Sequence, residues 1–158
     1  MKTASLFMFI CLLGIMPVAT SAPYTPNGAE VTDTNTGLIW RSCPEGMTWD
    51  GINTCTGTAS VFTHEAALQR AMAQANSSGV AWRLPNVKEL ASIVDRSRSN
   101  PAIDPTIFPA TPPSIFWSSS PFVSITGTAS IVDFGLGGVG GSLRNNVPYY
   151  VRLVRAGL

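Results

Sequence analysis

Residues 82–90, Trp-Arg-Leu-Pro-Asn-Val-Lys-Glu-Leu, constrain the fold of this chain more than any other segment. Pro85 fixes its own φ and keeps the residue before it extended. Asn86 can accept from the exposed amides of the next turn, and Glu89 can reach back to it, which is the reciprocal pattern of a capping box. The segment therefore predicts an extended stretch that leads into a helix over residues 87–96. One face of that helix is apolar and predicts docking on a core: Val87, Leu90, Ile93 and Val94.

Residues 1–22 have the pattern of an export signal. Lys2 gives a positive start, residues 6–16 are apolar, and small residues suited to cleavage follow. The alternative is a membrane anchor, but an apolar run of about a dozen residues is too short for a bilayer core of ~30 Å. Lipid attachment at Cys11 is not favoured, because a bulky Ile precedes it inside the apolar run. We predict a signal peptide over residues 1–22 and a single domain over residues 23–158, with no transmembrane segment after cleavage.

The charge balance of the mature chain excludes one class of partner. Without residues 1–22, nine basic and nine acidic residues remain, so the net charge is zero with His neutral. This leaves no basic excess for a nucleic acid, and we predict none as a partner. Eight of the nine remaining cations are Arg, which suits buried ion pairs and planar anion contacts better than Lys does.

Two cysteines remain after cleavage, Cys43 and Cys55. In an exported chain an even pair is most simply one disulfide, and the intervening residues are rich in turn formers. Such a bridge would stabilise the domain by up to about 3 kcal/mol in the chain-entropy model. The alternative is a metal site, but there is no second cysteine pair and His64 is the only His. We therefore predict the disulfide, with no metal and no cofactor.

The clearest helix is predicted over residues 63–76. Thr63 can cap it, and most of the following residues are strong helix formers. His64 falls in the first turn, where we expect it on the surface. One helical face is expected to join the core: Leu68, Met72 and Ala75.

Several short strands are predicted from apolar and β-branched runs between turn residues. They cover residues 29–32, 38–40, 115–120, 129–134 and 149–155. The first two are expected to form a hairpin around a turn at residues 33–37. Side chains should alternate between two faces along the last strand, over residues 149–155.

Three remaining segments are predicted as irregular structure. Residues 23–28 should be a poorly ordered start. Residues 97–114 hold five prolines, but their apolar side chains predict a packed loop. The glycine run at 135–141 could be a phosphate loop or a glycine hairpin turn. The turn is favoured, because no Gly-Lys-Ser/Thr and no helical pattern follow. All these elements together predict an α+β domain with two helices and short antiparallel strands.

Four segments resemble a family of bacterial exported domains, the Lcl C-terminal domain family. The family takes its name from the C-terminal domain of a Legionella collagen-like adhesin. The segments are residues 33–40, 82–90, 116–120 and 150–155, and they occur in the family's order. Relatives usually carry a Cys where this chain has Leu153. The loss of that cysteine supports the simple pairing of the two that remain.

The resemblance implies a fold similar to the C-type lectin-like group, compact and loop-rich. It also implies an extracellular, cell-surface or periplasmic module. The adhesin that names the family trimerises and binds sulfated glycosaminoglycans, so a homo-oligomer and a glycan or protein ligand at the cell surface are expected here. The family offers no established catalytic residues to transfer to this chain.

The residues that carry the resemblance are interpreted mainly as structural rather than as ligand contacts. Asp33 should anchor a turn, the tryptophans should fill the core, and the charged residues should form partly buried ion pairs. In particular, Arg83 should pair with a carboxylate inside the domain. The structural set is Asp33, Gly37, Trp40, Trp82, Arg83, Pro85, Glu89, Trp117, Arg152 and Arg155.

Ligand contact is expected from loops, since a rigid scaffold presents function there. The candidate loops are residues 43–55, 97–114 and 135–146. An exposed Trp can stack on a sugar, and Arg can hold a sulfate or carboxylate. The alternative for Arg96 and Arg98 is a solvated helix end. The candidate ligand residues are Trp49, Arg96, Arg98, Arg144, Asn145 and Tyr149, with Asn146 in the same loop.

An enzyme is not expected. His64 is the only His, and its place in the first helical turn indicates a surface residue, while residues 118–120 lack a nucleophile-elbow sequence. The triplets that calcium-dependent lectins use for sugars are also missing from the sequence. Two functions therefore remain: a binding module for a glycan or protein ligand, and a structural subunit of a surface assembly without a soluble ligand.

Overall fold

The computed structural model describes residues 23–145 and 147–157, so the predicted signal peptide at 1–22 and Asn146 lie outside the described residues. The helices are α1 (His64–Ser78) and α2 (Val87–Ser92). The strands are β1 (Tyr24–Asn27), β2 (Glu30–Asp33), β3 (Leu38–Arg41), β4 (Met47–Trp49), β5 (Cys55–Gly57), β6 (Val61–Phe62), β7 (Ile115–Pro121), β8 (Thr128–Asp133), β9 (Gly138–Leu143), β10 (Tyr149–Tyr150) and β11 (Val154–Ala156). The predicted α+β class, with two helices and short, mostly antiparallel strands, is confirmed.

The first sheet has the strand order β1-β2-β3-β11, and all its pairs are antiparallel. The predicted hairpin of β2 and β3 is confirmed. Asp33 Oδ1 accepts from the amide of Asn35 at 2.9 Å, and Asp33 Oδ2 accepts from the Thr36 hydroxyl at 2.7 Å. Gly37 closes this turn with a φ of +70°, a conformation that favours glycine. Asp33 therefore anchors the turn, as predicted.

The prediction of a poorly ordered start at residues 23–28 was wrong. Residues 24–27 form β1, which pairs with β2 along its whole length. Tyr24 anchors the strand, because its ring packs edge-on against Phe108 with the ring centres 5.5 Å apart. Pro26 is tolerated because β1 is an edge strand.

The second sheet has the order β6-β10-β7-β8-β9, in which only β10 and β7 run parallel. The predicted glycine turn is present between β8 and β9, where the Gly137 amide donates to Asp133 O at 2.7 Å. The second half of the glycine run, however, is strand β9, which pairs with β8 at all six positions. Glycine is required within it, because a Cβ on Gly141 would lie 2.4 Å from the Phe122 ring.

The prediction of one alternating strand over residues 149–155 was also wrong. The chain pairs in the second sheet at Tyr149–Tyr150 and in the first sheet at Val154–Ala156. The three residues between, 151–153, are all buried, because they cross from one sheet to the other through the core. The fully buried Arg152 holds this crossing through hydrogen bonds described below.

Helix α1 begins as predicted, with the Ala66 amide donating to Thr63 Oγ1 at 3.4 Å. Its expected core face was wrong: Leu68 and Met72 are 41% and 60% exposed. The small side chains of Ala67 and Ala71 face the core instead, because they pack against bulky tryptophans, Trp82 and Trp117.

Helix α2 has the predicted capping box. The Glu89 amide donates to Asn86 Oδ1 at 2.9 Å, and the Asn86 amide donates to Glu89 Oε2 at 2.8 Å. The helix ends at Ser92 instead of residue 96, because the Asp95 amide donates to Ala102 O rather than to a helical carbonyl. The predicted apolar face does meet the core, and residues 97–114 are packed as predicted.

The core consists of two clusters of buried side chains. The first joins the first sheet to α2 and the packed loop, and the second lies between α1 and the second sheet. Three of the predicted core tryptophans, Trp40, Trp82 and Trp117, are buried. The predicted disulfide between Cys43 and Cys55 is present, with the two Cα atoms 5.7 Å apart.

Candidate functional site

A cleft of about 480 Å³ opens between the β4–β5 hairpin, α1 and the end of β3. We name it the hairpin cleft. Its lining combines both charge signs with apolar and aromatic groups: Ala29, Arg41, Cys43, Pro44, Glu45, Gly46, Met47, Thr48, Trp49, Arg70 and Gln74.

Backbone contacts hold one wall of the hairpin cleft against the C-terminal crossing. The Arg41 amide donates to Leu153 O at 3.0 Å, and the Glu45 amide donates to Val151 O at 2.9 Å. Arg152 Nη1 donates to Arg41 O at 2.8 Å and also to Ser42 O. The disulfide ties the same segment to β5. The wall is therefore preorganised by the fold.

The polar groups of the hairpin cleft include two guanidinium groups and one carboxylate. Arg70 Nε lies 2.6 Å from Glu45 Oε2, and the Glu45 side chain is only 7% exposed. Arg41 is held by stacking: its guanidinium carbon lies 4.5 Å from the Trp82 ring centre, and its Nη2 donates weakly to Gln74 Oε1 at 3.4 Å. Its buried Nε has no hydrogen-bond partner among the described residues. Since Arg carries five donors, the cleft keeps hydrogen-bonding capacity for a ligand.

Trp49 lies at the lip of the hairpin cleft and is partly exposed. It faces Cys55 across the two-stranded ladder, so the disulfide fixes the strand that carries it. Asp50 shapes the adjoining turn, because its carboxylate accepts from the amides of Ile52 and Thr54. These hydrogen bonds lower the pKa of the Asp50 carboxyl. An indole in this position can cover the apolar face of a sugar or a peptide side chain.

The residues that line the cleft lie outside the four segments that carry the sequence resemblance. The family model described as the Lcl C-terminal domain matches residues 29–155. The chain belongs to the Lcl C-terminal domain family. No curated protein and no solved structure matches it significantly. In this Lcl C-terminal domain, Arg41 immediately follows the matching segment 33–40 and stacks on Trp82 from segment 82–90.

Two other predicted ligand residues lie together elsewhere on the Lcl domain. Arg144 and Asn145 line a pocket of about 340 Å³ at the start of α1, with His64 and Glu65. Arg144 Nε donates to Thr128 O at 3.0 Å, so part of this side chain supports the β7–β8 hairpin.

Tyr149 makes structural contacts on the second sheet. Its ring packs against Trp117 with centres 4.9 Å apart, and its hydroxyl accepts from Ser142 Oγ at 3.2 Å.

Arg96 and Arg98 occupy the loop after α2. Arg98 Nε lies 2.8 Å from Asp95 Oδ2, and its Nη2 lies 3.9 Å from Asp104. Arg96 lines a hollow of about 500 Å³ that Tyr24 also borders. Because α2 ends at Ser92, neither residue lies in its last turn, but both are exposed, as the alternative of a solvated helix end expected.

The six predicted ligand residues therefore do not form one site. The structure brings Arg144 and Asn145 together, and only Trp49 lies in the hairpin cleft. The sequence analysis did not select Arg41, Glu45, Arg70 and Gln74, which line that cleft. One signal was available: Arg70 and Gln74 follow the core alanines of α1 at helical spacing, so they border its buried face.

The expected surface position of His64 was wrong. It is 5% exposed, its Nε2 lies 3.0 Å from Ser118 O, and its ring packs edge-on against Trp117. Burial lowers the pKa of the His64 imidazole, and the nearby Arg144 lowers it further. The side chain is buried because the small neighbours on α1 let the helix approach β7 closely.

The predicted ion pairs are confirmed for two of the three arginines in the structural set. Arg83 forms a double hydrogen bond with Glu89, at 2.8 Å for each nitrogen. Arg155 Nη2 lies 2.6 Å from Glu30 Oε2.

Arg152 differs from this prediction, because it contacts no carboxylate among the described residues. Its Nη2 donates to Thr111 Oγ1 at 2.6 Å, its Nη1 donates to backbone carbonyls, and its guanidinium stacks over Phe108 at 5.0 Å. Burial lowers the pKa of Arg152 to about 9, so the group remains a cation at neutral pH.

Two further features bear on the class of site. Within residues 23–145 and 147–157, no helix combines the length and the apolar character needed to cross a membrane. The same part of the chain contains no group of three or more His, Cys, Asp or Glu side chains placed to hold a metal ion.

Proposed function

We propose that this protein is an exported, non-catalytic binding module that recognises a glycan or protein ligand at the cell surface through the hairpin cleft. Membership of the Lcl C-terminal domain family supports an adhesin-like role. The disulfide supports an oxidising compartment, since such bonds persist in exported proteins. The whole fold is then a member of the C-type lectin-like group, in which short strands and loops present a binding surface.

The observation that carries this proposal is the state of Arg41. Its guanidinium stacks on Trp82 at the lining of the cleft, and its Nη2 makes only a weak hydrogen bond of 3.4 Å to Gln74 Oε1. An Arg guanidinium carries five N–H donors, so Arg41 keeps terminal N–H groups that can bind a ligand in the cleft. A hydroxyl or carboxylate oxygen is the acceptor that these N–H groups suit best.

Trp49 and Arg70 complete the proposed ligand contacts. Trp49 offers an aromatic face at the lip, and Arg70 has further N–H groups besides the Nε that contacts Glu45. This pairing of an aromatic surface with planar donors suits a sugar ring with polar substituents, or an extended peptide with an acidic side chain.

A glycan array, followed by titration of the strongest ligand, tests the proposal. We expect Trp49→Ala to weaken binding at least about tenfold, because it removes a stacking surface. Ile52→Ala is the matched control, since Ile52 lies in the same hairpin, is 80% exposed and does not line the cleft.

Arg41→Gln should weaken the same ligand by a comparable factor, whereas Arg98→Gln should not. Arg98 is a suitable comparison because its charge is already shared with Asp95 and Asp104. A ligand that is lost on changing Arg98 or Arg144 but retained by Trp49→Ala would place recognition in the other loops and refute the cleft. Failure to bind any glycan or surface protein would refute the binding function itself.

The second candidate function is a structural subunit of a surface assembly. The observation that favours it is the six-residue strand β9, a sheet edge that has no second partner strand among the described residues and exposes Val139 and Leu143. Such edges join chains directly through their backbones.

A further inference from the structure

Strand β9 leaves one row of backbone groups without a partner. It is the last strand of the second sheet, and it pairs only with β8 among the described residues. Antiparallel pairs alternate between hydrogen-bonded and open positions. Because the Arg144 amide donates to Gly127 O, the register turns the N–H and C=O groups of Val139, Gly141 and Leu143 away from β8. All three residues are exposed.

The other sheet edges are protected by features that proteins use against strand addition. β1 is four residues long and contains Pro26. β4 and β5 have three residues each, β6 has only two, and β11 is bridged by Arg83 at Val154. β9 has six residues, no proline and no charge. It is therefore the open edge among the strands that the structure describes.

Apolar side chains collect along this edge and at its two ends. Val139 and Leu143 are 52% and 47% exposed on one face of β9, and the Phe122 ring covers Gly141 between them. Five of the nine large exposed apolar residues of the described chain lie on β9 or in the turns beside it: Val123, Ile125, Leu136, Val139 and Leu143. An exposed apolar set of this kind marks an interaction surface.

We propose that β9 pairs antiparallel with β9 of a second copy of this chain, which joins two second sheets into one continuous sheet. The outward groups are symmetric about Gly141, so the two-fold axis passes through that residue. Val139 then faces Leu143 of the second copy, and about six backbone hydrogen bonds form. No like charges face each other across the pair, because β9 carries none.

The same pairing accounts for the exposed turns. In an antiparallel dimer, the start of one β9 meets the end of the other. Leu136 of one copy is thereby brought to the end of the sheet where Val123 and Ile125 of the other copy lie. The formal net charge of the whole chain is only +1, so repulsion between copies is small. This inference does not rest on the hairpin cleft, because no residue of β9 or its flanking turns lines that cleft.

Measurement of mass in solution tests the dimer. The protein, purified from an oxidising compartment, should be dimeric at high concentration. Val139→Lys combined with Leu143→Lys places like charges opposite each other, and it should weaken the dimer by about tenfold or more. The double variant Leu68→Lys, Met72→Lys is the matched control, because it changes two exposed apolar residues on α1 and should leave the dimer intact.

A charge-swapped mixture makes the test specific for the register. A chain with Val139→Glu and Leu143→Glu should be monomeric alone, but it should form a heterodimer with the Lys variant. The pairing would then place each Lys opposite a Glu. A Lys or Glu variant that dimerises as tightly as the wild type, or a wild-type chain that stays monomeric at about 1 mM, would overturn the proposal. A trimer that is insensitive to these substitutions would overturn it equally.

Hydrogen exchange gives a readout that needs no variant. The amides of Val139, Gly141 and Leu143 should be protected at high protein concentration and should exchange on dilution. Those of Gly140 and Ser142 face β8 and should be protected at both concentrations. Outward amides that exchange freely in the concentrated sample would show that this edge is open, and the proposal would fail.

Discussion

The Arg41 guanidinium stacks on the Trp82 ring, with its central carbon 4.5 Å from the ring centre. Trp82 belongs to segment 82–90, which carries the family resemblance, and Arg41 lines the hairpin cleft. Segment 82–90 therefore does not line the proposed site, but its Trp82 ring holds one of the arginines that do. Trp82 also joins the core beneath α1, so the position of Arg41 is coupled to the packing of the domain.

Glu89→Gln should lower the free energy of unfolding by about 1 kcal/mol at neutral pH. The effect is modest because the Arg83 side chain is 44% exposed. The hydrogen bonds from Arg83 lower the pKa of Glu89 below its ordinary 4.5. Stability from this group is therefore present above pH 4.5 and is lost as the pH falls through the lower folded pKa. Urea unfolding should show the two proteins converging in acid, while Lys88→Gln, a neighbouring exposed change, should match the wild type throughout.

His64 should make the domain less stable in mildly acidic solution. Its folded pKa lies below the ordinary 6.5, first because burial disfavours the imidazolium. As the pH falls below 6.5, the unfolded chain binds a proton that the folded chain resists. Stability should thus fall by up to about 1.4 kcal/mol per pH unit. Urea unfolding between pH 7 and 5 should show this slope, and His64→Gln should reduce it. An equal slope in both proteins would contradict the assignment.

Gly46→Ala should destabilise the wall of the hairpin cleft by more than about 2 kcal/mol. A Cβ there would lie 2.6 Å from the backbone nitrogen of Ser60, in addition to the cost of a φ of +92°. Gly51→Ala is the matched control, with a φ of +87° and no atom within 4 Å of the added carbon. It should cost about 1 kcal/mol, the strain alone. Equal urea midpoints for the two variants would show that Ser60 moves aside at no cost, and they would contradict the prediction.

Arg152→Met should cost about 2–4 kcal/mol, because buried acceptors lose their donors. Those acceptors are the carbonyls of Arg41 and Ser42 and the hydroxyl of Thr111. Arg152→Lys keeps the charge and some N–H donors, so it should lose less stability than Arg152→Met. It should still be less stable than the wild type, because it cannot reach all three acceptors. Thermal and urea unfolding both measure this order, and a Met variant as stable as the wild type would contradict it.

The sequence predicts best where a local rule decides the structure. The capping box of Asn86 and Glu89, the Asp33 turn and the disulfide were all predictable, because each depends on residues close together in the chain. His64 was misplaced because its burial depends on Ser118, which is distant in sequence and close only after folding. Strand β9 was missed because glycines give no strand signal, and the Phe122 ring that requires Gly141 is distant in sequence.

The candidate site was less predictable than the fold. Trp49 could be selected as an exposed aromatic, but Arg41, Glu45 and Arg70 come together only when β3 and α1 flank the hairpin. No local pattern states which arginine keeps a free donor. Arg98, which was predicted to bind a ligand, is instead paired with two carboxylates, Asp95 and Asp104, that sequence spacing alone did not single out.

The crossing at residues 149–156 places the last strands of the chain in both sheets at once. Strand β3 can pair with β11, and β6 and β7 can pair with β10, only when residues 149–156 are available. Completion of both sheets must therefore wait until nearly the whole chain has been synthesised. This order of assembly suits the export proposed above, because the chain can remain unfolded until its last strands are available.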